Sequence, residues 1–167
     1  MFPRDYKAGQ LFSFVIKQIP ELAHLGLSIV ADDDPSLNCR ERLSVFMAHF
    51  PSGSSVKDFE HFAQTITLDG FKYFDYGALK NRELYDSEMP PDIPLSNIRH
   101  IPIGMFVGTK DQLATVEDNK WTKTQIPSEL IAFYGEYELG HMTFLLAKDM
   151  SYFRDVLTLI RYFNKEK

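Results

Sequence analysis

The sequence predicts an α/β protein, and three observations carry that reading. Two short, mostly apolar runs, IPIGMFVG (101–108) and LIAFYGEYE (130–138), have the length and composition of strands. Each is followed by a segment with helical spacing, so strand, helix, strand, helix forms a βαβ unit plus one helix, with its two strands parallel. The chain has 167 residues, 44% hydrophobic and 14% aromatic, which is enough apolar material for a packed core. Parallel strands of this kind lie inside a wider sheet covered on both faces.

Two compositional zones divide the chain near residue 95. In the first, the N-terminal MFPRDYKAGQLFSFVIKQIP lacks the basic start, unbroken apolar run and small-residue site of a signal peptide. Apolar residues between Leu11 and Val30 are spaced as in one or two short helices, broken at Pro20 and Gly26. ADDDPSLN (31–38) reads as a loop leading into a helix. Its acids Asp32, Asp33 and Asp34 form a solvated turn, since neither calcium-loop spacing nor a glycine follows. Ser54 or Ser55 caps the next helix, in which Val56, Phe59, Phe62, Ala63 and Ile66 make a stripe expected to be core, and Asp69-Gly70 ends it. FKYFDYG (71–77) is a short strand or extended segment, and NRELYDSEMPPDIP (81–94) is a proline-rich connection.

The second zone is more regular. The 101–108 run is expected to be buried on both faces. Thr115 caps a helix from Val116, with Glu117 and Asp118 complementing the dipole of its first turn, Trp121 packing one face, and IPSE (126–129) breaking it. Ser151 caps a last amphipathic helix that turns Phe153, Val156, Leu157, Ile160 and Phe163 inward and ends in NKEK.

Charge and cysteine content exclude several functions. A net charge of −5 with no Lys/Arg-dense run gives no basis for binding nucleic acid. Cys39 is the only cysteine, so neither an internal disulfide nor a cysteine-based zinc site forms within the chain. No pair of histidines has zincin spacing, and no apolar run approaches the ~20 residues of a transmembrane helix.

In open α/β sheets the working residues lie just beyond the carboxyl ends of the strands. Asp111 follows the first strand in VGTKDQLA and His141 follows the second in ELGHMTF, so adjacent parallel strands deliver both to one edge. An acid that orients a histidine base is two-thirds of a hydrolytic triad, and acid before histidine matches the α/β-hydrolase order Ser, Asp, His.

HFPSGSSVKDFEHFAQ (49–64) resembles a signature of the acid lipases, the gastric, lingual and lysosomal lipases. FKYFDYG, the NRELYD to PPDIPL connection, IPIGMFVGTKDQLA and GHMTF follow in that family's order, so the resemblance covers residues 40–167 well and the first forty loosely. It implies a partial α/β-hydrolase fold. Residues 1–95 would be the later part of the helical cap, and 96–167 the last two parallel strands and two helices of the core. It also implies that Asp111 is the triad acid and His141 the triad base, that no metal or organic cofactor takes part, and that the substrates are lipid esters such as triacylglycerols or steryl esters met at a lipid–water interface. A lysosomal or secreted location follows from the resemblance alone. His49 and His61, within the signature, are expected to be hydrogen-bonded structural residues.

The chain departs from the family at Thr143, where an acid is common, at Gly140, where an asparagine is common, and at the cap disulfide, which Cys39 alone cannot make. The larger departure is the nucleophile. No Gly-x-Ser-x-Gly occurs, and Gly53-Ser54-Ser55 lacks both the second glycine and a preceding buried strand. The expectation is therefore the C-terminal part of a lipase, carrying triad acid and base, inactive alone, and truncated from a longer product. The alternative is a stand-alone, non-catalytic binder of lipid or protein, prone to self-association through the open edge of the strand at Ile101 to Val107.

Overall fold

The computed structural model describes residues 34–49, 54–68 and 70–165. The helices expected between Leu11 and Val30 and the acids Asp32 and Asp33 lie outside the described residues. The described residues fall into two compact units, one of residues 54–95 and one joining residues 34–49 to 96–165.

The second unit is built on two parallel strands, β1 (Ile103–Gly108) and β2 (Ile131–Tyr137). Their register pairs Met105 with Tyr134, Phe106 with Gly135 and Gly108 with Tyr137. Side chains alternate between faces along a strand, so Gly104, Phe106, Phe133, Gly135 and Tyr137 share one face. There the Phe106 ring stacks with Phe133 at 4.9 Å and with Tyr137 at 6.0 Å between ring centroids, and the Phe133 ring and Tyr137 hydroxyl occupy the space that a Cβ at Gly135 would need. The helix Tyr152–Lys165 packs on this face: Leu159 fills the space beside Gly104, and the Tyr137 hydroxyl donates to Asp155 at 2.8 Å. The opposite face carries Tyr134 and Glu136, which meet Lys123 (4.3 Å above the Tyr134 ring) and Lys120 (3.4 Å from Glu136) of the helix α4 (Val116–Gln125). Thr115 caps that helix as expected, accepting from the Asp118 N–H. Helices on both faces of a parallel pair give an α/β arrangement.

Two expectations for this unit are corrected. The 101–108 run is not buried on both faces: Val107 and Gly108 are buried, but Gly104 is exposed and Ile101 is 61% exposed. Among the described residues each strand has a single neighbour, so the sheet is too narrow to enclose β1. In the last helix Val156, Leu157 and Phe163 are partly buried, whereas Phe153 and Ile160 are exposed, for the same reason.

Residues 34–49 fold against the chain that follows β2. Helix α1 (Arg40–His49) places Leu43 and Met47 on Leu146, with Phe46 and Met142 packed around them. Ahead of α1, Cys39 N–H donates to the Leu146 carbonyl at 2.6 Å, Lys148 N–H donates to Leu37 at 2.9 Å, and Asn38 bridges Ala147 in antiparallel fashion.

The first unit contains α2 (Val56–Thr67) and α3 (Ala78–Tyr85). Ser55 caps α2 in a capping box with Asp58. The helix turns its polar side to the extended segment 71–77. His61 Nε2 lies 3.0 Å from the Lys72 carbonyl, and the Gln64 amide both donates to and accepts from the Asp75 backbone at 2.9 and 2.8 Å. The apolar stripe expected to be core is therefore on the outside, with Phe59 57%, Phe62 70% and Ile66 86% exposed. Backbone groups of an extended segment need hydrogen-bond partners, and here the polar face of α2 supplies them. A further correction concerns 81–94, read as a connection throughout: its first residues belong to α3, which ends at Asp86 in the left-handed conformation (φ 57°). Asn81, fully buried, ties this unit together by donating to Asp75 at 2.7 Å and to the Glu88 carbonyl at 2.8 Å while accepting from Tyr76 N–H at 2.9 Å.

Candidate active site

The site lies where the two parallel strands end. Beyond β1 the chain turns, and Asp111 folds its side chain back onto its own loop. Its Oδ1 accepts from the backbone N–H groups of Leu113 and Ala114, both at 2.8 Å. A short carboxylate two and three residues ahead of two free N–H groups closes such a turn with local bonds alone. One oxygen is thereby committed to the backbone and the carboxylate plane is fixed. The other, Oδ2, lies 3.0 Å from Nδ1 of His141. The Asp111 side chain is 6% exposed and that of His141 41% exposed, so a shielded acid holds the near side of a ring whose remainder reaches solvent.

The strands keep the two loops together past the end of the sheet. Thr109 N–H donates to the Tyr137 carbonyl at 2.8 Å and Lys110 N–H to that of Leu139 at 3.1 Å, which continues the pairing to within one residue of Asp111 and two of His141. Gly108 permits this approach. A Cβ there would stand 2.3 Å from the Leu139 carbonyl oxygen and 3.1 Å from the Phe144 ring. The His141 turn then enters a one-turn helix, α5 (Thr143–Leu146), anchored by Leu146 on α1. Thr143 and Gly140, the two positions that depart from the family pattern, are both buried.

A carboxylate accepts only, so the bond to Asp111 fixes the imidazole with its proton on Nδ1 and its lone pair on Nε2. That tautomer, held by a buried acid, suits a general base that takes a proton from a hydroxyl. Both sequence-predicted site residues are thus brought into contact. His61 bonds a backbone carbonyl and stands edge-on to Phe74 at 5.6 Å, in keeping with a structural role. Among the described residues no group of three His, Cys, Asp or Glu is placed to hold a metal. Sequence reasoning missed the supports: the Leu113 and Ala114 amides, the Gly108 contact, and the brace from residues 37–47. The first two have a signal in hindsight, an Asp two residues before a pair of non-proline residues and a glycine closing a strand run. The third has none, because it joins segments about a hundred positions apart.

No family model matches the chain. It is 35% identical over 106 residues to triacylglycerol lipase 1 of Arabidopsis thaliana, covering 63% of this chain and 27% of that protein. It is 29% identical over 126 residues to the gastric triacylglycerol lipase of Homo sapiens, covering 71% and 30%. With the lysosomal acid lipase/cholesteryl ester hydrolase of Rattus norvegicus, identity is 27% over 142 residues, covering 83% and 35%. The chain is acid-lipase-like over this matched portion. The acid-lipase-like chain spans about a third or less of the length of these relatives. Among its described residues no helix is long and apolar enough to cross a membrane.

Proposed function

We propose that this chain carries the acid and the base of a lipid ester hydrolase, with the serine nucleophile supplied from outside its 167 residues. In this reading residues 1–95 correspond to the later part of a lipase cap, and 96–167 to the C-terminal part of an α/β-hydrolase core. The observation that supports it is the Asp111–His141 bond of 3.0 Å at the carboxyl ends of neighbouring parallel strands. The names of its relatives supply the substrate class, triacylglycerols or steryl esters.

The chemistry follows from the two groups. His141 Nε2 takes the proton of the serine hydroxyl as its oxygen attacks the ester carbonyl, then gives that proton to the departing alcohol. In the second half it takes a proton from water, whose oxygen attacks the acyl-serine, and gives that proton to the serine oxygen as the acyl bond breaks and the fatty acid leaves. Asp111 holds the ring and stabilises the imidazolium formed in each half. A backbone oxyanion hole belongs with the serine elbow, and its absence alone costs on the order of 100-fold or more in rate. By itself, then, the chain is inactive.

Two measurements test this. The purified chain, assayed on a short-chain nitrophenyl ester at acidic and neutral pH, is expected to give no turnover that His141→Ala removes; turnover lost in that variant would overturn the assignment of the nucleophile to another segment. In a product whose transcript carries an in-frame Gly-x-Ser-x-Gly ahead of Met1, Asp111→Asn is expected to lower kcat by on the order of 10^4-fold. A loss below tenfold would sink the acid's role.

A second reading, a non-catalytic binder of lipid or protein, is favoured by a different observation, the outward apolar stripe of α2. Flotation of the chain with phosphatidylcholine vesicles, abolished by Phe62→Glu and Ile66→Glu, is the result expected from it. Vesicle binding unaffected by those changes would remove it.

A further inference from the structure

We infer that Tyr152 is a positioning residue for the candidate catalytic pair: its hydroxyl and ring fix the turn that presents His141 to Asp111. This role rests on the proposed function of that pair and extends it to a side chain eleven positions along the sequence.

α5 is too short to bond all of its own carbonyls. In this one-turn helix Leu146 N–H donates to Met142 and Ala147 N–H to Thr143, but the next donor, Lys148 N–H, leaves the helix for the Leu37 carbonyl at 2.9 Å. The Phe144 carbonyl is thus left without the partner a longer helix would give it. Tyr152 takes that place, its hydroxyl donating to Phe144 O at 2.6 Å. The same ring stands perpendicular to the Phe144 ring, with centroids 5.1 Å apart, and edge-on to Tyr137 at 6.0 Å. Burial raises the Tyr152 hydroxyl above the ordinary phenol range, so it remains a donor.

Phe144 matters because of where its ring lies. Its Cε2 faces Gly108, at 3.1 Å from where a Cβ would be, and its N–H is 3.4 Å from the carbonyl of Gly140, the residue before His141. One side chain of the last helix therefore locks the ring wedged between the end of β1 and the histidine turn. Tyr152 touches neither His141 nor Asp111. It acts through Phe144, and without its hydroxyl the turn gains freedom while the apolar packing stays.

The test uses the full chain labelled with 15N-histidine and follows exchange of the His141 Nδ1 proton by NMR. Tyr152→Phe is expected to speed that exchange about fivefold, the factor to which one net hydrogen bond corresponds. Tyr162→Phe, removing an exposed phenol from the same helix, is expected to leave it unchanged, as is the amide exchange of buried Val107 in Tyr152→Phe. Equal His141 exchange in Tyr152→Phe and wild type overturns the role, as does a parallel acceleration at Val107, which would mark a general loss of stability. Asp111→Asn separates the two levels. If it leaves the Nδ1 proton as it was, the pair itself does not form and the proposed function fails together with this role. If it removes the signal while Tyr152→Phe does nothing, the positioning role alone is overturned.

Discussion

Replacing Gly108 with alanine tests the geometry that joins the two loops of the site. The added Cβ would lie 2.3 Å from the Leu139 carbonyl oxygen, 3.2 Å from its carbon and 3.1 Å from the Phe144 ring. Carbon and carbonyl oxygen approach no closer than about 3.3 Å in ordinary packing, so one of them must move by about 1 Å. The obstacle is backbone, and that oxygen already accepts from Lys110 N–H at 3.1 Å. Overpacking costs about 1 to 3 kcal/mol, and loss of the Lys110 bond adds about 1 kcal/mol, for a total of about 2 to 4 kcal/mol. Gly104→Ala is the internal control. Its Cβ would meet the Leu159 Cδ2 atom at 2.4 Å, the free end of a side chain that can rotate away, so its cost should be about half as large. Urea unfolding followed through the single tryptophan, Trp121, measures both, and the 15N shifts of His141 report whether the pair survives. Gly108→Ala should lower the unfolding free energy by more than Gly104→Ala and disturb the His141 signals. A Gly108→Ala protein within about 0.5 kcal/mol of wild type, with unaltered His141 shifts, would refute the claim that a bare backbone at 108 is what lets the loops meet.

Two more predictions concern the rest of the molecule. Asn81→Ala strands the Tyr76 amide and the Glu88 carbonyl and should cost about 3 kcal/mol, seen as lost hydrogen-exchange protection at Tyr76; retained protection would show that water replaces the side chain. Burial first, then its bond to Asp155, pushes the Tyr137 hydroxyl up to about 12 from the ordinary phenol value of 10.0. A raised folded value favours the protonated form, so its contribution is complete below about pH 10 and is lost between about pH 10 and pH 12. Chemical unfolding across that window should show a decline that Tyr137→Phe removes, and an identical decline in the variant would assign the effect to another group.

Much of this protein is legible where the cause is local. The strand runs at 103–108 and 131–137 follow from short apolar segments, and the starts of the 56–67 and 116–125 helices from Ser55 and Thr115, whose hydroxyls bond amides two or three residues on. The parallel order of the strands, and so the meeting of Asp111 with His141 across thirty positions, was also within reach, because a strand–helix–strand unit leaves little choice of topology. The direction in which α2 faces was not legible. Its periodic Val56, Phe59, Phe62 and Ile66 announce an apolar face but do not say what meets it, and hydrogen bonds from His61 and Gln64 to the 71–77 segment turn that face outward. Likewise the sequence by itself determined which residues could act as acid and base. Only the tertiary structure decided how they are held, through Gly108, Phe144, Tyr152 and the α1 segment. Chain-local bonds depend on neighbours a few residues away, whereas these supports depend on contacts between distant segments, which periodicity and spacing do not encode.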